Sequence, residues 1–164
     1  MFFKGSRVTL RSVAISDVGT ILMWENDPEL AQFSDAHDPY TEEQIVDFIV
    51  EQQQGLEACG QLRLMIDTTD GQTIGAVDIF DYNGASVELG VLVYSQNHRC
   101  CGYATEAITA VIDLCAQWGI TTLWATIDSS NSASTKLFTR CGFKLFENNR
   151  YRYETNSISV NTLG

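Results

Sequence analysis

Basic residues are scarce in this chain of 164 residues: 10 Lys and Arg stand against 21 Asp and Glu, a formal net charge of −11. Such a net charge argues against binding to nucleic acid or an anionic membrane surface, where a basic face supplies most of the affinity, so neither partner is expected. Its acidity permits a cationic substrate, although acidity also serves plain solubility. The five cysteines, Cys59, Cys100, Cys101, Cys115 and Cys141, form an odd set without zinc-ligand spacing. They argue against a disulfide framework and a structural metal site, and fit reduced thiols. No apolar run approaches the length of a membrane span, and no basic segment leads into a signal-like apolar stretch. Cytoplasmic residence is therefore the expectation.

What is present has the balance of a globular protein, 45% hydrophobic and 19% charged, at a length suited to one domain, residues 1–164, around one core. The pattern predicts a first strand over residues 7–10, then a helix capped by Ser16 or Asp17 and reaching about residue 26. Thr41-Glu42-Glu43-Gln44 resembles a capping box one residue short, opening a helix that runs to about residue 53. Alternating segments at 62–67 and 73–82 read as strands joined by Thr68-Thr69-Asp70-Gly71, and a second turn at Asn83-Gly84 leads into a strand over 87–93. A helix over 104–118, a strand over 122–127, a helix over 132–141 and a strand from 143 follow, with a short hairpin expected in the tail from Asn148 through Ile158 and Val160. The strand at 122–127 returns parallel to that at 87–93 by a helical crossover, giving a mixed, twisted sheet with helices on both faces.

Residues 96–107, Gln-Asn-His-Arg-Cys-Cys-Gly-Tyr-Ala-Thr-Glu-Ala, join strand to helix through a glycine-bearing turn. The first turn of a helix carries N–H groups without intrahelical partners and a partial positive charge, so a pyrophosphate is stabilised there if no side chain blocks its approach. Gly102 and Ala104 keep that approach open. One helix and one strand later comes Asn131-Ser132-Ala133-Ser134-Thr135-Lys136-Leu137-Phe138-Thr139-Arg140-Cys141-Gly142-Phe143.

These two blocks, in this order, resemble the GNAT family of N-acetyltransferases. Arg99-Cys100-Cys101-Gly102-Tyr103-Ala104 looks like the family's Arg/Gln-x-x-Gly-x-Gly/Ala cofactor signature, and the second is similar to its Asn-x-x-Ser…Leu-Tyr/Phe…Gly-Phe block. Val8-Thr9-Leu10-Arg11, Asp17, Trp24-Glu25-Asn26-Asp27-Pro28-Glu29 and the segment 75–82 are similar to the branch that acetylates ribosomal-protein alanine and polyamines. The resemblance implies an α/β (α+β) fold, a mostly antiparallel sheet of roughly six or seven strands with about four helices on both faces. It implies acetyl-CoA as cofactor and direct attack of an amine on the thioester in a ternary complex, the acceptor being a polyamine or other small amine, or a protein N-terminal amine. A strand-edge homodimer is common for such a fold. The alternative reading is a non-catalytic CoA-binding or sensing module.

By the same resemblance, the strand Val91-Leu92-Val93 pairs with the pantetheine arm. The turn from Arg99 through Cys100, Cys101, Gly102, Tyr103 and Ala104 to Thr105 holds the pyrophosphate, Asn131 and Ser134 contact the cofactor, and Phe138 packs beside it. Cys100 and Cys101 stand where the family usually has Gly-Lys or Gly-Arg. Phe138 stands where many relatives carry a proton-donating tyrosine, leaving Tyr103, Tyr82, water or no dedicated acid at all. Glu88 is the candidate base: strand periodicity sets it with Gly90 and Leu92 on one face of an apolar strand, where an unpaired carboxylate is costly. The alternative is a sheet glutamate paired to an arginine such as Arg63, or simply solvated. Asp35, His37, Tyr40, Asp78, Phe80 and Tyr82 are the acceptor-site candidates, suited as acids and aromatics to a cationic amine. His37 and His98, as lone histidines, read as surface groups rather than catalysts.

Overall fold

Alternating aliphatic residues, punctuated by Asp-Gly and Asn-Gly turns, place eight strands in one sheet in the computed structural model, which describes residues 2–31, 38–94, 96–99 and 101–155. The strands are β1 (Phe3–Lys4), β2 (Val8–Ser12), β3 (Leu62–Thr68), β4 (Thr73–Phe80), β5 (Ser86–Val93), β6 (Thr122–Thr126), β7 (Lys144–Glu147) and β8 (Arg150–Glu154). Their order across the sheet is β1-β2-β3-β4-β5-β6-β8-β7, antiparallel everywhere except between β5 and β6. That one parallel pair needs a crossover, supplied by α5 (Tyr103–Gln117).

Two apolar layers hold helices to the sheet. On one face Ile108, Val111 and Cys115 of α5, with Phe138 of α6 (Ser132–Arg140), pack against Leu64, Ile66, Val77, Ile79, Val87, Leu89 and Leu123. On the other, Ile21 and Trp24 of α1 (Val18–Glu25) and Ile45 and Ile49 of α3 (Glu42–Gln52) cover Met65 and Ala76. The alternation of side chains along β3 and β4 serves both layers at once. Two four-residue helices, α2 (Pro28–Ala31) and α4 (Leu56–Cys59), join α1 to the rest and α3 to β3. No helix of the described residues is long and apolar enough to cross a membrane.

The expected fold holds, with three corrections. The sheet has eight strands rather than six or seven, because the two-residue β1 is too short to show a period and the tail contributes β8. The hairpin placed in the tail is formed by β7 and β8 around Asn148, whose φ of +50° makes the turn; Ile158 and Val160 lie outside the described residues. Thr41 and Gln44 form a complete capping box, the Thr41 hydroxyl accepting from the Gln44 amide at 3.2 Å and the Gln44 side chain accepting from the Thr41 amide at 2.9 Å.

Candidate active site

The candidate site lies at a break in the sheet. Among the described residues the parallel ladder pairs Ser86 with Thr122, Val87 with Leu123 and Glu88 with Trp124, and there it ends, although β5 continues to Val93. The carboxyl-terminal half of β5 keeps β4 on one side, with Gly90 opposite Asp78 and Val93 opposite Gly75. On the other side, past Glu88, it faces an opening.

A cleft of about 390 Å³ occupies the α5 and α6 side of this opening. It brings together Val91 and Val93 of β5, Arg99, Gly102, Ala104 and Thr105 of the following turn and helix, and Ser134 of α6. All of these belong to the expected cofactor set. Gly102 caps α5 with φ +86°, a left-handed conformation that presents successive amides to one side at no steric cost. The Arg99 guanidinium is tied across the end of β5, Nε donating to the Val93 carbonyl at 2.9 Å and Nη2 to that of Tyr94 at 3.0 Å. Lys136 and Arg140 line the same cleft, so three of the chain's 10 basic residues converge on one concavity of an otherwise acidic protein. An apolar floor, a glycine turn at a helix start and three cations fit a ligand with a long arm and phosphate groups.

Other cofactor candidates lie differently. The Leu92 side chain points to the opposite face, against the layer containing Met65 and Ala76. Asn131 caps α6, its side-chain oxygen accepting from the Ser134 amide at 3.1 Å. Tyr103 packs on the core and edge-on to His98, ring centroids 5.5 Å apart. Phe138 does not line the cleft: it is buried, edge-on to Phe143 at 5.0 Å, whereas its neighbour Leu137 does line it. The helical register decides between these adjacent positions. Cys101 is exposed, and Cys100 lies outside the described residues.

His98 corrects the sequence reading. Rather than a surface group, it is a half-buried wall of the cleft, and its Nδ1 is shielded from solvent with no hydrogen-bond partner among the described residues. An orphaned ring nitrogen in a cleft suits a polar ligand group. Also absent from the sequence reading is a strap from the amino-terminal segment. Glu106 accepts from the amides of Ser6 at 2.8 Å and Arg7 at 3.0 Å, while the Arg7 guanidinium donates to the Cys101 carbonyl. The separation of about a hundred residues left no local signal.

Glu88 sits on the last rung of the parallel ladder, at the apex of the opening. Its side chain is 17% exposed and meets Arg150 at 3.6 Å, not Arg63. Two residues on, Gly90 leaves the adjoining position without a side chain; a Cβ there would find only the Phe80 ring, at 3.7 Å. Space is thus kept beside the carboxylate.

Of the acceptor candidates, Asp78, Phe80 and Tyr82 line a second cleft of about 450 Å³ with Phe48 and Arg63. Tyr82 lies beyond the Phe80–Glu88 rung, away from the first cleft, and neither it nor Tyr103 lines that cleft. Asp78 is engaged by Arg63 through two contacts, at 2.6 and 2.9 Å. Burial works against the Arg63 charge, but Asp78 and Glu25 more than offset it and hold the guanidinium above its ordinary range. Asp78 thus lines the second cleft as an ion-paired carboxylate. Tyr40 is exposed, its backbone bonded to the Asn26 side chain, and does not line this cleft; Asp35 and His37 lie outside the described residues.

The family model for the acetyltransferase (GNAT) domain matches residues 7–144. No curated protein matches the sequence. Among solved structures, spermidine N-acetyltransferase from Vibrio cholerae, in complex with CoA and spermine, is 16% identical, with a TM-score of 0.75 over 93% of this chain and 98% of that one. An acetyltransferase from Agrobacterium tumefaciens is 25% identical, with a TM-score of 0.74 over 93% and 94% of the two chains. A candidate ribosomal-protein-serine acetyltransferase from Vibrio cholerae is 18% identical, at 0.72 over 93% and 96%.

Proposed function

The chain belongs to the GNAT family of acetyltransferases, and from that premise we propose that it transfers the acetyl group of acetyl-CoA to a primary amine, with Glu88 as the base. The observation that carries the reading is the position of Glu88 at the closed end of a sheet opening whose other walls fit a phosphate-bearing thioester. The acceptor class is a polyamine or other small amine, or a protein N-terminal amine.

Val91 to Val93 would hold the arm of the cofactor, with the turn from Arg99 to Thr105 and the Ser134 end of α6 at its phosphates. Bound acetyl-CoA supplies the thioester carbonyl that the amine attacks, and the sulfur that departs as a thiolate when the C–S bond breaks. An ammonium has no lone pair, so the proton must leave the nitrogen first or during attack, and Glu88 receives it directly or through water. The room left by Gly90 admits the amine beside that carboxylate. Phe138 has no proton to give and is buried, so the thiolate is protonated by solvent after it leaves. No cysteine nucleophile is needed.

The test is Glu88→Gln. It preserves shape and removes the base, so the turnover number should fall by about a hundredfold while thermal stabilisation by CoA is retained. Wild-type turnover at every pH by the variant would remove Glu88 from this role.

A further inference from the structure

Beyond Glu88, toward the β7 edge, the α1–α3 face of the sheet carries, among the described residues, a stack of aromatic rings and guanidinium groups. The Arg150 guanidinium carbon lies 3.9 Å from the centre of the Trp124 ring, and that of Arg152 lies 4.5 Å from Phe146 and 5.8 Å from Trp124. Trp124 and Phe146 meet edge-on at 5.2 Å, and Phe146 is half exposed. Register explains the cluster: Trp124 stands between Glu88 on β5 and Arg152 on β8, and Arg150 is opposite Thr126, at the end where the opening begins.

These arginines differ from the two that hold the fold. Arg11 and Arg63 are 27% and 14% exposed and grip carboxylates with two-pronged contacts of 2.6 to 2.9 Å. Arg150 and Arg152 are 45% and 39% exposed, and among the described residues each meets a carboxylate through a single contact, Glu88 at 3.6 Å and Glu154 at 3.3 Å. Lys144 and Glu147 stand opposite them on β7. A guanidinium lying over a ring keeps its five N–H donors at its rim, where they suit a carboxylate. In a chain of net charge −11, two half-exposed, aromatic-supported arginines beside the proposed base have a use.

We propose that the acceptor is a primary amine that also bears a carboxylate, bound by Arg150 and Arg152 while its amine meets Glu88. The inference rests on the reading of Glu88 as base and deepens it. Because Arg150 is in contact with Glu88, a carboxylate a few bonds from the amine reaches the arginines as the nitrogen reaches the base. A polyamine lacks the carboxylate that these arginines would bind and would bring a second cation toward them. A free α-amino acid and a peptide amino terminus with an acidic side chain share the required chemistry.

The experiment measures acetyl transfer to acceptors matched in all but charge, as CoA thiol release. The pairs are an α-amino acid with its carboxamide, and a short peptide amide carrying aspartate at its second position with its asparagine counterpart; spermidine is run beside them. The carboxylate form of at least one pair should be favoured in kcat/KM by about tenfold or more, as charge-assisted hydrogen bonds provide. Arg152→Gln should shrink that preference and Arg152→Glu reverse it; comparing ratios between proteins cancels differences in amine basicity. The pair that responds identifies the source of the acceptor. A wild-type preference for spermidine or the neutral forms, with ratios unchanged in Arg152→Gln, would overturn the inference while leaving acetyl transfer standing. CoA binding without transfer to any of these amines would remove the underlying reading and this inference with it.

Discussion

Arg11 shows how a single side chain ties together parts of the chain far apart in sequence. Its guanidinium meets both oxygens of Asp17 at 2.9 Å and Asp67 at 2.6 Å, and Asp17 also accepts the Ala14 amide at 2.8 Å. Burial works against the Asp17 charge, but the Arg11 contacts and the Ala14 amide outweigh it, and hold the carboxyl below the ordinary carboxylate range. A depressed value means stabilisation that is fully present above that range and lost as pH falls through the folded-state value. Asp17→Asn is therefore expected to cost about 2 kcal/mol near neutral pH, as removal of a charged hydrogen-bonding partner does. Urea denaturation of both proteins should show the difference shrinking at pH values below the ordinary carboxylate range. Little of this was legible beforehand: Arg11 and Asp17 stood in the resemblance to the family, but their partnership with Asp67 requires the β2–β3 register. Glu88 was legible as an anomaly in an apolar strand, whereas its pairing with Arg150 was not, because β8 is recruited from the tail. Adjacent residues are easily confused where helical register decides: Leu137, not Phe138, is the one of the pair that lines the cleft.

At the scale of elements, the readable features were those encoded locally. The turns at Asp70-Gly71 and Asn83-Gly84 form as expected, with φ of +93° at Gly71 and +96° at Gly84, and Asn83 caps its turn by accepting the amides of Ala85 and Ser86. Placement of β8 between β6 and β7 was not readable, since strand order depends on long-range pairing. One glycine couples an element to the site. Gly75 lies opposite Val93, and a Cβ on it would collide with the Leu92 carbonyl oxygen. Gly75→Ala must push β5 from β4 at the end that lines the cofactor cleft. We expect a loss of about 2 kcal/mol in stability, in the range for forced overpacking, together with weaker CoA binding. Chemical denaturation and calorimetric titration measure the two effects separately, and an unchanged affinity would show that the strand end yields without disturbing the cleft.

For the whole molecule, charge is segregated rather than uniform. The chain carries −11 overall, yet Arg99, Lys136 and Arg140 share the cleft between β5, α5 and α6. Acetyl-CoA at about a hundred times its dissociation constant should raise folding stability by about 2.7 kcal/mol, seen as a shift in Tm. At a fixed ligand concentration the shift should shrink with added salt, because exposed charges at the cleft mouth are screened. ATP and NAD, which share phosphates but not the pantetheine arm, should give smaller shifts. Equal shifts for all of them would reduce the cleft to a general anion site. The break between β5 and β6 has one further consequence. A strand flank without a neighbour ordinarily invites another chain to add itself, the first step toward sheet-driven aggregation. Here that flank is recessed inside the sheet, behind the Glu88–Trp124 rung and between α5 and α6, rather than exposed along an outer margin. A slender extended molecule can enter such a slot, whereas an incoming polypeptide strand with side chains on both faces meets the helices first.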